Sequence, residues 1–268
     1  MQSFDSQGSQ SSQLSMLCRT SHLTLALDHA AEVIHSMGSR TVVRYGKDKV
    51  IKSGRLNVNE ADTLRFVAAN TSIPVPRVHE VRHSAEGCKS AIVMDYMPGI
   101  PLEEAWKSFS HDQKIAVTRE IGAYVSQLRC LKGSYIGGVN RGKVTVGRHD
   151  RVYGGPFENE KLFNEFLRSM IVKGAPSTLR HYAGACLKED HEIVFTHADL
   201  APRNILVDEH GRVSAILDWE DAGWYPEYWE HYRALRDLRP MPDWPEYFHY
   251  MLPQSYEAEF INQAPLED

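Results

Sequence analysis

The chain has 268 residues, 42% of them hydrophobic, enough for one or two domains with a sizeable core, and its formal charge of −5 gives no general attraction to nucleic acid. Four cysteines (Cys18, Cys88, Cys130 and Cys186) lie far apart without a CxxC spacing, which sets aside a zinc site or disulfide framework and fits a reducing, cytoplasmic location. No apolar run approaches the ~20 residues of a membrane span, and the N-terminus has neither the basic nor the apolar segment of a secretory signal.

Residues 1–22 begin rich in Ser and Gln and read as a disordered tail. From Leu23 to Met37 the apolar groups Leu23, Leu27, Ala30, Ala31 and Ile34 fall at helical spacing, with Gly38 as a helix-ending residue. Arg40 to Lys52 reads as a β-hairpin around Gly46-Lys47-Asp48. Asn57 to Asn70 reads as a helix with Leu64, Val67 and Ala68 inward, Asn57 or Asn59 as cap, and Glu60 in its first turn. Pro74 and Pro76 stiffen a link to a strand from Arg77 to Arg82, and a second strand runs from Ala91 to Met97 before Pro98-Gly99. Ser110 to Leu131 is an amphipathic helix opened by a Ser110/Gln113 capping box. Seven glycines in residues 133–156 indicate a long loop region, and helices are expected over Phe157–Lys173 and Thr178–Leu187.

The stretch from Ile193 to Glu220 carries the chemistry. An apolar strand ends in the polar loop His197-Ala-Asp199-Leu-Ala-Pro-Arg-Asn204. Two short apolar runs, Ile205–Val207 and Val213–Leu217, flank a turn at Asp208–Gly211 and return the chain to Asp218. Asp199, Asn204 and Asp218 offer hard oxygen donors of the kind Mg²⁺ takes from protein. One Asp to accept a hydroxyl proton, with an Asn and a second Asp to hold metal, is what phosphoryl transfer needs. His197 is expected to brace this loop rather than react.

His-x-Asp-x-x-x-x-Asn followed by Ile-Leu-Asp-Trp-Glu resembles the catalytic and metal loops of the protein-kinase-like fold, in the aminoglycoside phosphotransferase and choline kinase branch. The resemblance runs from Arg40 to Arg239 and is nearest to the short, mostly fungal members. It implies an α+β, two-lobed fold: a small nucleotide-binding lobe over residues 23–97 and a mainly helical catalytic lobe over 98–268. It implies Asp199 as catalytic base, Asn204 and Asp218 as Mg²⁺ ligands, and Lys52 on the α- and β-phosphates of ATP with Glu60 as its partner. Met94, Asp95, Tyr96 and Met97 stand where the adenine-binding hinge would be. No G-x-G-x-x-G precedes Lys52, so the first strand of the small lobe is expected to be missing or replaced by the helix ending at Met37.

After Asp218, residues 219–230 combine aromatics and acids without Lys or Arg. Two readings stand: Glu220, Asp221, Trp224 and Glu230 face a cationic substrate, or the run packs against the larger lobe. The expected function is ATP- and Mg²⁺-dependent transfer of the γ-phosphate to a hydroxyl of a small molecule, cationic alcohols among the acceptors, with no nucleic-acid or membrane partner. One alternative is a binding or scaffold protein that keeps the fold without turnover. The other, a protein kinase-like enzyme, is disfavoured because no Ala-Pro-Glu activation segment follows Asp218.

Overall fold

The computed structural model describes residues 31–57, 59–83, 90–147, 151–170, 178, 187–235, 241–252 and 254–263. The expected tail, the first part of the helix from Leu23 and most of the helix from Thr178 lie outside the described residues. Two compact units are present. One takes the described residues up to Leu56 and from His79 to Tyr96; the other takes Asn57 to Val78 and those from Met97 onward.

The first unit is an antiparallel sheet of β1 (Glu32–Met37), β2 (Arg40–Tyr45), β3 (Lys49–Gly54), β4 (Val78–His83) and β5 (Ser90–Asp95), in the order β1-β2-β3-β5-β4. The expected helix up to Met37 is therefore corrected: residues 32–37 form the first strand, which is neither missing nor replaced. Helical spacing of a few apolar groups is a weak preference, and pairing the β-branched Val33 with Val43 satisfies backbone groups that a lone exposed helix turn would leave to water. Gly38 is the hairpin residue, at φ 57° between Met37 and Arg40, rather than a helix cap. Gly54 lies so close to the Ser39 carbonyl that a Cβ there would collide with it. The last strand of the hairpin alternates in burial, with Val50 and Lys52 inward.

The larger unit begins with helix α1 (Asn59–Asn70), which buries Ala61, Leu64 and Val67. A short β6 (Ile100–Pro101) leads to α2 (His111–Cys130). Ser110 accepts from the Gln113 backbone N–H and the Gln113 side chain accepts from that of Ser110, the capping box expected for this helix. The glycine-rich stretch is not all loop: β7 (Val144–Val146) pairs with β8 (Val152–Gly154). Then follow α3 (Glu160–Met170), β9 (Ile193–Thr196), the hairpin β10 (Ile205–Val207) and β11 (Val213–Ile216), β12 (Gly223–Pro226), α4 (Trp229–Ala234) and α5 (Glu257–Gln263). Sheet β11-β10-β6 and the pair β12-β9 hold the loops of interest. Beneath them Phe163, Tyr225, Tyr228, Trp229 and Tyr232 form an aromatic core with Val144, Val146 and Leu167.

The His191 side chain, 8% exposed, joins α3 to α5. Its Nδ1 lies 2.7 Å from Glu160 and its Nε2 3.4 Å from Glu259, with Lys188 also on Glu259. Burial alone would lower the imidazole pKa, but Glu160 and then Glu259 outweigh it and hold the group above its usual 6.5. The contribution to stability is therefore complete below the unfolded value and is lost as pH rises through the higher folded one. The melting-temperature advantage of the wild type over His191→Gln should shrink across that window, and parallel pH profiles would contradict the assignment.

Candidate functional site

The site is built where β9 and β11 deliver their loops. At the end of β9 the His197 backbone N–H donates to Glu230 Oε2 at 2.7 Å, and its Nε2 lies 3.0 Å from the Leu217 carbonyl. Nδ1 accepts from the Asp199 backbone N–H at 3.2 Å, so Nε2 is the nitrogen that carries the proton. His197 thus braces both loops from the interior. Ala198 sits at φ 65°, in the left-handed region that a residue with a Cβ rarely adopts, and its carbonyl accepts from Arg233 Nε at 2.7 Å.

Asp199 emerges from this braced turn with its side chain 27% exposed. Arg203, four residues on across the 3₁₀ turn Pro202–Asn204, donates one nitrogen to both of its carboxylate oxygens at 2.7 Å. Asn204 is buried, and its Nδ2 donates to the Asp199 carbonyl and to Asp199 Oδ2, each at 2.9 Å. The amide nitrogen is thereby occupied and the amide oxygen is the donor left for a cation. The Asn204 carbonyl accepts from the Leu217 backbone N–H at 2.8 Å. That bond joins the loops and sets Asp218 beside Asn204 in the chain path.

Asp218 also takes left-handed dihedrals, φ 61° and ψ 63°, where β11 gives way to the 3₁₀ turn Trp219–Asp221. Trp219 is buried, bonded through Nε1 to Ile216 O at 2.9 Å and packed on the His197 ring at 4.5 Å. Ala198 and Asp218, one in each loop, thus hold left-handed conformations that persist only because the surrounding structure fixes them. Asn57, one of the two residues read from sequence as a helix cap, accepts from the Asn59 backbone N–H at 3.2 Å and also donates to the Glu220 carbonyl at 3.0 Å. This ties the start of α1 to the Asp218 loop. Glu60, expected as the partner of Lys52, consequently stands with Asp218 and Glu220, one ligand oxygen from each lying within 4.8 Å of the others. Three carboxylates at that spacing suit a hard divalent cation.

The acids beyond Asp218 are not presented to solvent. Glu220, Asp221 and Glu230 are all buried. Arg151, from the glycine-rich stretch, bridges Glu220 Oε1 and Asp221 Oδ2, each at 2.6 Å. Burial would lower the guanidinium pKa, but Asp221 and then Glu220 raise it. Burial also pushes the Asp221 carboxyl upward, against Arg151 and Arg233. Burial likewise raises Glu230, against His197. Trp224 packs among Phe66, Phe195 and Tyr135 with ring centroids 5.0–5.3 Å away. Its N–H and C=O both pair with Gly137. Of the two readings of this run, the geometry at Trp224 and Glu230 favours packing: aromatic contacts engage the first and loop bracing the second.

In the first unit, Lys52 lies on the buried face of β3. Met94 is buried in β5, Asp95 pairs with His79 at 2.6 Å, and the Tyr96 ring lies under the Arg44 guanidinium at 3.9 Å. The Tyr96 backbone N–H donates to the Asp48 carbonyl at 2.7 Å. Met97 belongs to the larger unit and is half-buried. Arg151, Arg203 and Arg233 were not singled out by the sequence reading. Arg203 had a signal, as the lone Lys or Arg between Thr196 and Val207; the other two had none.

Solved structures with this architecture agree on its class. A GDP and kanamycin complex of APH(2″)-IIIa matches with TM-score 0.61 at 12% identity, over 95% of this chain and 87% of that one. Aminoglycoside phosphotransferase APH(4)-Ia matches with TM-score 0.62 at 15% identity, over 96% and 88%. A thermostable mutant of the latter, in ternary complex with ADP and hygromycin B, matches with TM-score 0.62 at 13% identity, over 88% and 83%. At such identities the likeness shows the fold: α+β and kinase-like, with an antiparallel N-terminal sheet. A search of curated proteins finds no match to the sequence. Among the described residues no helix is long and apolar enough to cross a membrane. The model of the phosphotransferase enzyme family matches residues 56–256, which contain every element of the loop site, and the chain belongs to that family.

Proposed function

We propose that this protein transfers the γ-phosphate of ATP to a hydroxyl of a small molecule. The observation that carries this reading is the bond from Leu217 N–H to Asn204 O, which closes the Asp199–Asn204 loop onto Asp218. Asp199 then orients the acceptor hydroxyl and receives its proton, and Asn204 holds the Asp199 carboxylate in place through Nδ2. Asp218 and the Asn204 amide oxygen would hold Mg²⁺, with Glu60 and Glu220 completing the acidic set around it. Held there, such an ion would supply charge neutralisation for the β- and γ-phosphates. Lys52 takes the non-transferred phosphates, and Met94, Asp95, Tyr96 and Met97 the base, by their order in the chain. Catalysis rests on positioning and charge rather than on a covalent enzyme intermediate.

Polyhydroxylated compounds are the acceptors to try first, given the kanamycin and hygromycin B complexes of the structural neighbours. Nothing in the run after Asp218 favours a cation among them, since Arg151 engages Glu220 and Asp221, and His197 engages Glu230.

Calorimetric titration with ATP, with and without Mg²⁺, tests the reading. Wild type should bind in a Mg²⁺-dependent way, and Asp218→Ala should lose more than about tenfold in affinity, or ~1.4 kcal/mol. A wild type that binds no nucleotide at millimolar concentration leaves the scaffold reading in its place.

A further inference from the structure

We infer that Arg203 acts on the phosphoryl group in transfer: its guanidinium, seated on Asp199, supplies the positive charge that meets the γ-phosphate as it passes to the acceptor. This rests on the phosphotransferase reading and adds a residue to it. Arg203 uses a single nitrogen, Nη2, for both Asp199 contacts. Its Nε and Nη1 make no hydrogen bond among the described residues, and the side chain is 44% exposed. The other two arginines of the site are engaged. Arg233 is 9% exposed and bonded to the Ala198 and Gly147 carbonyls, and Arg151 is committed to Glu220 and Asp221. Between Thr196 and Val207 the sequence has no other Lys or Arg.

General reaction distances bring the phosphoryl group close to the carboxylate that holds this guanidinium. A base lies ~2.6–3.2 Å from the oxygen it deprotonates, and that oxygen attacks from ~3–3.5 Å. The transferring phosphorus thus comes within about 6 Å of the carboxylate on which the guanidinium sits. In the step, the acceptor oxygen bonds to the γ-phosphorus and the bond from that phosphorus to the β–γ bridging oxygen breaks. ADP leaves with the electron pair, and the hydroxyl proton goes to Asp199. Charge spreads over the equatorial oxygens, which the planar fork of an arginine matches. As Asp199 takes the proton it loses its hold on Arg203, which frees the guanidinium for the phosphoryl group.

The test compares wild type, Arg203→Ala and Arg203→Lys for ATP hydrolysis without added acceptor and for binding of Mg·ADP with and without aluminium fluoride. Arg203→Ala should lower kcat by ~10²–10³-fold with KM for ATP changed by less than about threefold. It should also lose the tighter binding that fluoroaluminate gives the wild type, at unchanged melting temperature. Arg203→Lys should recover part of both, and Arg212→Ala, an exposed arginine on Asp208, should change neither. Retained kcat, retained fluoroaluminate tightening, or losses matched by equal loss of plain Mg·ADP binding and of melting temperature would overturn the inference. In those outcomes wild-type turnover still supports the phosphotransferase reading, whereas a wild type that binds no nucleotide overturns both.

Discussion

Asp199→Asn is expected to lower kcat for ATP turnover by ~10²–10⁴-fold while Mg·ATP affinity stays within about threefold of wild type. The substitution keeps the shape of the side chain and an acceptor oxygen for the Asn204 Nδ2 bond. It removes the charge that draws Arg203 and the basicity that takes the hydroxyl proton. The groups proposed to hold the metal, Asp218, Glu60 and Glu220, are untouched, so nucleotide binding has no reason to fail. Loop geometry is also protected, because the bracing of His197 by Glu230 and Leu217 is independent of the Asp199 side chain. Steady-state rates together with calorimetric titration separate the two quantities. Equal losses in kcat and in affinity would show that Asp199 holds the loop rather than the proton.

Trp229→Ala should destabilise the chain by ~3–5 kcal/mol, a large share of the 5–15 kcal/mol typical of a domain. Trp229 is fully buried and stacks on Tyr225 with ring centroids 5.3 Å apart and planes 3° from parallel. It also meets Phe163 edge-on at 5.1 Å and lies 5.3 Å from Tyr232. Truncation removes these contacts and leaves a cavity between α3, β12 and α4 that rigid aromatic neighbours collapse into poorly. Trp229→Phe should cost much less, because it keeps a ring in the stack and removes a buried Nε1 that bonds to no described residue. Urea unfolding midpoints check the series. A loss below ~1 kcal/mol for the alanine variant would contradict the assigned core.

Where the sequence spoke clearly, the determinants were local. The start of α2 was legible because Ser110 and Gln113 carry the capping box on their own side chains. The β10–β11 hairpin was legible because Gly211, at φ 76°, sits between two apolar runs. The Asp199, Asn204 and Asp218 arrangement could be proposed because the loop and hairpin that bring them together span only twenty residues of chain.

Where it misled, or left two readings open, the outcome depended on distant partners. All six residues of β1 are exposed, so the strand has no period-2 burial to announce it, and its state is decided by pairing with β2. Whether the run after Asp218 faces a ligand or the interior is decided by Phe66, Phe195 and Tyr135, which no local pattern connects to Trp224. Arg151 reaches Glu220 across 69 positions, a contact only the folded chain reveals.

ADP formation from ATP by the purified wild-type chain, followed with and without Mg²⁺ and with no acceptor added, tests the central claim most directly. The account predicts slow, Mg²⁺-dependent release of ADP that Asp199→Asn removes. Metal-independent release, or release unchanged in Asp199→Asn, would contradict it.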